Sequence, residues 1–478
     1  MGEYELVAGL EIHAQLQTRT KAFCRCESLY GAKPNTLVCP VCLGTPGALP
    51  VLNREVVAQA ARLAIALGAQ INLHSRFDRK HYFYPDLPKG YQISQFDRPF
   101  STGGEVQIVV NGIDKTIRVT RAHIEEDAGK SMHLADGSTV VDLNRCGIPL
   151  VEIVSEPDFR SAEEAGAYLT AVRELLRFVG VCDGNMAEGS LRCDANVSVR
   201  KRGETDLRER CEMKNLNSIR GVERAIASEA KRQIDIYEQG GAIVRQTLHW
   251  DEEDEILIPV RLKEGSDDYR YFPEPDLPEL KLNQPFVDDI RSHMPALPNV
   301  RRAKYRDQYK LHDEAVYLLA SDRGLSDYYE SLIADKRSPA AVAAWIQGDV
   351  QRLLKENEWN LSQFPVDAER LGEVIDAVES RQINRATGRD LLKMMLTDNR
   401  SVAELIKATG AGQIGDSEEI RTIIADILKQ HPDALNKYRA GKTKMVGFFM
   451  GQVMQMTKGQ ADPQLAKDLL MELLGATE

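Results

Sequence analysis

No stretch of the sequence is apolar for long enough to span a membrane. A membrane-spanning helix needs roughly 18 or more consecutive apolar residues, and no run in this 478-residue chain approaches that length. The N-terminus also lacks the basic-then-apolar order of a secretory signal peptide. We therefore expect a cytoplasmic protein that does not bind membranes. In that compartment its eight cysteines are thiols or metal ligands rather than disulfides.

The common catalytic motifs are missing as well. There is no GxxxxGK[ST] phosphate-binding loop, and no GxSxG or serine–lysine pattern marks an amidase nucleophile. Cys146 lacks the glycine frame of a glutaminase cysteine. The GxGxxG at residues 410–415 follows a helix-like run rather than a strand, so we interpret it as a flexible linker and not as a dinucleotide-binding loop. Any ammonia used by this chain must come from elsewhere.

Positive charge is in deficit. The net charge of −11 argues against non-specific nucleic-acid binding over the whole surface, although it leaves room for a local basic patch.

The hydrophobic content of 43% is typical of a globular protein with well-formed cores. The length predicts two or three domains.

Residues 6–17, LVAGLEIHAQLQ, show the strict alternation of a half-buried β-strand. Glu11 and His13 lie on the polar side, and two residues along a strand separate them by about 7 Å. A carboxylate and an imidazole on a rigid strand can bind a divalent metal or transfer protons. Taken alone, the pair is more typical of a solvated strand face.

Acidic residues recur in the β-meander that we predict between residues 103 and 153. Glu125, Glu126 and Asp127 end one of its strands, and Glu152 lies within an apolar run. A carboxylate in such a run is costly to bury unless it is paired or bound to a metal. These residues therefore join Glu11 and His13 as candidate metal ligands.

Two later segments carry charges of both signs on one face. The polar face of SLRCDANVSVR includes Arg192 and Asp194, and that of RERCEMKNLNS includes Glu212 and Lys214. A single exposed strand often looks like this, but several such strands from one region indicate one sheet face rich in carboxylates and cations. Phosphoryl transfer needs this combination, because carboxylates hold Mg²⁺ and cations neutralise phosphate oxygens.

Four cysteines have the spacing of a zinc site. They form a C-x-C pair and a C-x-x-C pair on either side of a short loop: Cys24, Cys26, Cys39 and Cys42. Four protein ligands would leave no open position for a substrate, so the zinc would be structural. A coincidental run of buried thiols is the alternative.

Residues 79–100 are predicted to form a loop, because Pro85, Pro88 and Gly90 interrupt them. Three tyrosines alternate there with cations that include Lys80 and Lys89. Such a loop suits stacking on an unpaired base or binding a phosphate. The same aromatics would also serve simply to hold the loop in place.

Helical periodicity replaces strand signals beyond Pro295. We predict a β-rich domain over residues 1–294, a helical domain over 295–409 and a small helical tail over 410–478. The tail contains a basic cluster, which favours RNA contact in a net-acidic chain although an ordinary solvated face would look similar. The cluster comprises Lys437, Arg439, Lys442, Lys444 and Lys458.

Eight phrases, taken in order, resemble the B-subunit family of bacterial aspartyl/glutamyl-tRNA(Asn/Gln) amidotransferases. They are GLEIHAQL, CPVCLGTPGALPVLN, YFYPDLPKGYQISQ, HIEEDAGK, IVSEPD, LRCDANVS, KNLNS and RYFPEPDLP. Each phrase is short, but the ordered set spans essentially the whole chain. The resemblance implies an α+β fold: a glutamine-synthetase-like cradle with a mixed or antiparallel sheet and flanking helices, then an all-α domain and a helical tail that meets the tRNA body.

The resemblance also implies an ATP- and Mg²⁺-dependent ligase reaction. The side-chain carboxylate of glutamate on tRNA(Gln), or of aspartate on tRNA(Asn), is phosphorylated, and ammonia then displaces the phosphate. The amidase subunit of the complex would make the ammonia from glutamine and pass it through a channel. A small third subunit would clamp the pair into a heterotrimer.

Residue roles follow from the matching motifs. The resemblance implies that Glu11, His13, Glu126 and Glu152 are catalytic and bind magnesium, while the sequence does not separate Glu125 and Asp127 from Glu126. Lys80 and Lys89 resemble residues near the channel mouth. Some family members lack the zinc cysteines, so zinc would not be essential to the chemistry. The predicted site for ATP and phosphate is completed by Arg192, Asp194, Glu212, Lys214 and Lys89.

Two other classes of function stay open. A free-standing glutamine-synthetase-like ligase acting on a small amino acid would need no tRNA, and a non-catalytic zinc-containing RNA-binding scaffold would turn over no ATP. The basic tail argues against the first, and the recurring carboxylates argue against the second. The sequence does not decide between tRNA(Gln), tRNA(Asn) or both.

Overall fold

The computed structural model describes residues 2–134, 136–262, 269–409, 417–457, 461 and 463–475. The chain divides into two compact units, Met1–Pro298 and Asn299–Glu478. The first is built on a large mixed sheet with helices, and the second is helical, which confirms the predicted α+β class. The three-domain division at residues 294 and 410 stays a prediction, and the glycine-containing linker at 410–415 lies outside the described residues.

All the strands that the structure describes belong to the first unit. In chain order they are β1 (Tyr4–Gln15), β2 (Gln70–Ile71), β3 (His74–Ser75), β4 (Asp78–His81), β5 (Tyr91–Ser94), β6 (Ser101–Thr102), β7 (Glu105–Val110), β8 (Ile113–Glu126), β9 (Lys130–His133), β10 (Thr139–Asp142), β11 (Pro149–Ser155), β12 (Leu191–Lys201), β13 (Cys211–Leu216), β14 (Gln246–Asp251), β15 (Ile256–Leu262), β16 (Phe272–Pro273) and β17 (Leu280–Lys281).

The helices run through both units. They are α1 (Arg54–Ala66), α2 (Ala162–Phe178), α3 (Ile219–Glu238), α4 (Gln284–Ser292), α5 (Pro298–Asp307), α6 (Asp313–Ala320), α7 (Arg323–Ala334), α8 (Pro339–Trp345), α9 (Gln351–Glu356), α10 (Ala368–Glu379), α11 (Arg385–Met394), α12 (Val402–Thr409), α13 (Ser417–Gln430), α14 (Pro432–Arg439), α15 (Met445–Met456) and α16 (Pro463–Gly475). Short 3-10 turns occur at Leu143–Arg145 and Leu361–Gln363, and a π-helical turn, Ile346–Val350, joins α8 to α9.

The main sheet has the order β15-β14-β13-β12-β1-β11-β8-β6-β2, with β7 added as a hairpin partner of β8. Its described neighbours pair antiparallel except β13 and β14, which run parallel. The apolar side chains of β1, including Leu10 and Ile12, are buried in one core with residues from α1, α2 and α3. Because strand side chains alternate between faces, the polar side chains of β1 lie on the opposite face of the sheet.

Two local predictions were wrong in part. The hairpin of β7 and β8 forms as expected, but β10 pairs with β9 in a separate two-stranded sheet, and β11 pairs with β8 instead. The predicted loop at 79–100 contains β4 and β5, which form a three-stranded sheet with β16. The third strand comes from almost 200 residues away in sequence, and local turn signals carry no information about so distant a partner.

The second unit has two hydrophobic cores among its described residues. One includes Trp345 and Leu371 and involves helices α5 to α12, while the other includes Ile424 and Phe449 and involves α13, α15 and α16. In the part of the chain that the structure describes, no helix is both long and apolar enough to cross a membrane.

Candidate metal and phosphate site

The polar face of β1 is the centre of the site. β1 lies between β11 and β12, with His13 opposite Glu152 on one side and Arg192 on the other, and with Glu11 opposite Asp194. Directly opposite residues of antiparallel strands share a face of the sheet. The pairing therefore brings together five of the residues that the sequence singled out, although they come from three distant segments.

The first group of potential ligands is the imidazole–carboxylate cluster of His13, His123, Glu125 and Glu152. His13 Nε2 lies 3.5 Å from Glu125 Oε1 and 3.3 Å from Glu152 Oε2. His123 Nε2 lies 3.7 Å from Glu125 Oε2 and 3.4 Å from Glu152 Oε2. One ligand atom from each of His13, Glu125 and Glu152 lies within 4.8 Å of the other two. That is close enough for one cation to contact all three.

Mutual electrostatics set the protonation of this cluster. Burial alone would lower the pKa of His13, but the charges of Glu152 and Glu125 outweigh it and raise the pKa to about 9. Burial alone would raise the pKa of Glu152, yet His123 and His13 bring it well below its usual value. Without a metal, the His13 imidazole therefore carries a proton at neutral pH. A cation that binds His13 must displace that proton.

The second group is the three-carboxylate cluster of Glu11, Asp194 and Glu212, whose ligand oxygens also lie within 4.8 Å of one another. Lys214 forms an ion pair with Asp194, and its Nζ lies 3.4 Å from Glu212 Oε1. Asn196 Nδ2 donates a 2.9 Å hydrogen bond to Glu11 Oε1. Burial, followed by the charges of Glu152, Glu212 and Asp194, raises the pKa of Glu11 despite the opposing charge of Lys214.

The donor chemistry of both clusters suits a hard divalent cation. Five of the six candidate ligands are carboxylates, whose oxygens Mg²⁺ prefers, and the sixth, the imidazole of His13, is a ligand more typical of transition metals. One lysine faces three carboxylates in the second cluster. The raised pKa of Glu11 reflects their mutual repulsion as well as burial, and a bound cation would relieve that repulsion. The residues present therefore fit magnesium.

A cationic border lies at one end of the β1 polar face. Arg192 donates to Asp127 at 2.6 Å, Gln15 donates to the same oxygen at 3.0 Å, and Arg145 lies 3.6 Å from it. Arg145 and Arg192 line a cavity of about 870 Å³. A smaller cavity of about 310 Å³ lies at the other end, beside Glu11 and Asn196. The two clusters are thus flanked by space for substrates.

The structure does not bring Glu126 together with Glu11, His13 and Glu152. Alternation along β8 points Glu126 away from the face that carries Glu125. Glu126 instead accepts hydrogen bonds from Lys89 and, at 3.0 Å, from the backbone N–H of Ile93. The structure therefore distinguishes Glu126 from its neighbours Glu125 and Asp127, which the sequence alone did not.

Lys80, unlike Lys89, is close to the imidazole–carboxylate cluster. Burial alone would lower its pKa, but electrostatic interactions with Tyr271, Glu125 and Glu152 raise it. Its Nζ also lies 5.0 Å from the centre of the Tyr269 ring. A half-buried lysine in its charged form places a positive charge near the two carboxylates.

The four cysteines form the third group of potential metal ligands, with Sγ atoms within 4.8 Å of one another. Lys21, which is fully buried, donates to Leu37 O at 2.7 Å and lies 3.7 Å from Cys42 Sγ. A hydrogen bond from Cys24, together with the backbone N–H of Cys39 and the charge of Lys21, lowers the pKa of Cys42 to about 4. Thiolate sulfur in a closed set of four suits zinc.

The described residues of the basic cluster in the tail lie on α14 and in the turn that follows it. Lys437, Arg439, Lys442 and Lys444 are all exposed. Lys458 lies outside the described residues. The tail therefore presents an exposed cationic edge.

Comparison with known proteins covers both units. The GatB/GatE catalytic domain family matches residues 6–288, and the GatB domain family matches residues 327–474. The chain is 45% identical over 472 residues to the B subunit of the aspartyl/glutamyl-tRNA(Asn/Gln) amidotransferase of Pelodictyon phaeoclathratiforme, which covers 99% of each chain. It is 45% identical over 476 residues to the corresponding B subunit of Oleidesulfovibrio alaskensis, covering 99% of this chain and 100% of that one.

The chain belongs to the B-subunit family of aspartyl/glutamyl-tRNA(Asn/Gln) amidotransferases. The predicted resemblance is thereby confirmed at the level of the family and of the amidotransferase subunit.

The sequence predictions missed two residues of this member of the B-subunit family, His123 and Lys21. Both lie beside residues that were predicted. His123 is two residues before Glu125 on the same face of β8, so the alternation of HIEED contained the signal for both. Lys21 had no such signal. Its approach to Cys42 depends on how the cysteine loop folds back on the segment after β1.

Proposed function

We propose that this chain, as the B subunit of an amidotransferase, uses ATP to phosphorylate the side-chain carboxylate of glutamate or aspartate carried on tRNA, and that it directs amidation of the product. The observation that supports this most directly is that two carboxylate clusters share one sheet face with Lys80, Lys214 and Arg192 around them. Carboxylates for Mg²⁺ and cations for phosphate oxygens are the parts that phosphoryl transfer requires.

Magnesium would be held by His13, Glu125 and Glu152 in one cluster and by Glu11, Asp194 and Glu212 in the other. When bound, magnesium would neutralise the negative charge that develops on the phosphate oxygens during transfer. We propose Glu125, rather than Glu126, as the ligand from the end of β8, because only Glu125 of the two reaches the imidazoles.

The chain's own cations orient the substrates. A carboxylate oxygen of the substrate bonds to the γ-phosphorus as the bond to the bridging oxygen breaks, which releases ADP. Lys214, which pairs with Asp194, and Arg192, which pairs with Asp127, would bind the negative groups of the two substrates. Ammonia then bonds to the acyl carbon, and phosphate leaves with the proton that the nitrogen loses.

Ammonia would come from an amidase subunit of the complex, because this sequence lacks an amidase nucleophile. Lys80, which interacts electrostatically with Glu125 and Glu152, and Lys89, paired with Glu126, are the proposed residues near the point of ammonia entry. A small third subunit would complete the heterotrimer. We further propose that zinc on the four cysteines is structural and that the tail contacts tRNA.

The test uses the assembled complex with γ-labelled ATP and glutamate mischarged on tRNA(Gln), and separately with aspartate on tRNA(Asn). We expect ATP cleavage and amide formation that depend on the mischarged tRNA, and the comparison of the two tRNAs reports specificity. Product formation that survives RNase treatment would instead favour the free-standing ligase. Absence of ATP turnover would favour the RNA-binding scaffold.

A further inference from the structure

The second unit contains a buried carboxylate that three arginines contact. Asp349 lies in the π-helical turn between α8 and α9, and its side chain is only 3% exposed. Its oxygens lie 2.8 Å from Arg385 Nη2, 3.0 Å from Arg389 Nε and 3.4 Å from Arg352 Nη2. A π-helical turn is rare and is often found at functional sites. Here it carries an acid that joins α9 to α11.

Close packing fixes α11 against this turn. A Cβ at Gly388 would lie 2.9 Å from Trp345 Cη2, so glycine is what allows the helix to approach the indole so closely. The Arg385 guanidinium stacks 3.5 Å from the centre of the Trp345 ring. Arg385 and Arg389, which flank Gly388, are therefore held by a rigid contact between helices and not by side-chain preference alone.

The arginines exceed what the buried acid needs. One carboxylate balances one of three positive charges, and Arg352 has a further partner in Glu356 at 3.3 Å. The side chains of Arg352, Arg385 and Arg389 are 38%, 35% and 53% exposed. Each guanidinium has five N–H donors, and the contacts with Asp349 and Glu356 use a minority of them. Surplus positive charge is therefore left at the surface.

We infer that Arg352, Arg385 and Arg389 form a binding site for RNA backbone phosphates. A planar guanidinium binds phosphate through paired donors, and holding it in place beforehand reduces the side-chain entropy lost on binding. Asp349 is the positioning residue, since it orients the three guanidinium groups without reaching the ligand. The choice of RNA over another polyanion rests on the proposed function, because the substrate of that function is carried on tRNA.

The experiment measures binding of unacylated tRNA(Gln) transcript to the full complex over a range of KCl concentrations. We expect Arg389→Gln to weaken binding about fivefold and to reduce the slope of log Kd against log salt concentration by about one unit. Because phosphate contacts position RNA and take no part in the chemistry, kcat for amidation at saturating tRNA should match the wild type. Arg352→Gln should give a smaller change of the same kind.

Arg323→Gln is the matched control. Arg323 is in the same unit, is 51% exposed and lies 3.5 Å from Asp327, so it loses the same charge and one surface ion pair. If the three arginines form the RNA site, Arg323→Gln should bind tRNA with the wild-type Kd and the wild-type slope of log Kd against log salt concentration. If Arg389→Gln lowers the melting temperature but changes neither quantity, the arginines only stabilise the fold and the inference is wrong. If the wild-type complex binds no tRNA, the proposed function fails together with this site.

Discussion

Glu11 is the residue whose charge the proposed phosphoryl transfer needs most directly. Glu11→Gln keeps the size of the side chain and its acceptor for Asn196, but removes the charge that a magnesium ion requires. We expect phosphorylation of the tRNA-borne carboxylate to fall by orders of magnitude, since a positioned cation supplies much of the catalysis in phosphoryl transfer. Paired assays of ATP-dependent amidation and of glutamine hydrolysis by the assembled complex measure this.

Free ammonium should not rescue the Glu11 variant, because the defect precedes attack by ammonia. Glutamine hydrolysis should persist, because its nucleophile is on another chain. Glu5→Gln is the control: Glu5 is on the same face of β1 but pairs with Arg200 at 2.7 Å, away from both clusters. Restoration of amidation by ammonium would mean that Glu11 serves ammonia delivery and not the metal.

A second prediction at this scale separates Glu125 from Glu126. Glu125→Gln should raise the magnesium concentration needed for half-maximal amidation about tenfold or more, because it removes a charged ligand beside His13. Glu126→Gln should leave that requirement nearly unchanged, since its partners are Lys89 and the Ile93 backbone. Magnesium titrations of both variants give the answer. An equal shift in the two would contradict the assignment to Glu125.

Among the elements, the strands show what sequence can and cannot predict here. Alternation was enough to place Glu11 with His13 on β1 and Arg192 with Asp194 on β12, and the structure confirms both strands. Pairing register could not be derived, because the neighbours of β1 come from residues 149–155 and 191–201. The division of the ligands into two clusters, and the contact of His13 with Glu125, follow only from that register.

The cysteine loop is an element whose stability should depend on metal. With zinc bound, Cys39→Ser removes one of four sulfur ligands and should lower the melting temperature of the complex while changing kcat less than about twofold. Serine in place of the half-buried thiol is a small change in volume, so loss of metal would dominate. Elemental analysis of protein purified without chelator should find about one zinc per chain, and finding none would remove the basis of this prediction.

At the scale of the whole molecule, we expect the tail, residues 410–478, to supply part of the affinity for tRNA. Removal of residues 410–478 deletes the exposed cations around α14 but leaves the sheet face intact. We expect KM for mischarged tRNA to rise about tenfold or more while kcat falls far less, because phosphate contacts position RNA without doing chemistry. Steady-state kinetics of the truncated complex test this. An unchanged KM would make the basic cluster ordinary surface.

The two proposed cation positions take one ligand each from the same strand, β1. Glu11 and His13 extend from one strand whose backbone is hydrogen-bonded on both sides, to β11 and to β12. Their separation is therefore set by covalent geometry, at about 7 Å between alternate residues, and no side-chain substitution can alter it. In Glu11→Asp the carboxylate would lie closer to the β1 backbone by the length of one methylene group. The backbone position of His13 would not change. Substitutions at this site can change which cation binds, and they leave the distance between the two backbone anchors fixed.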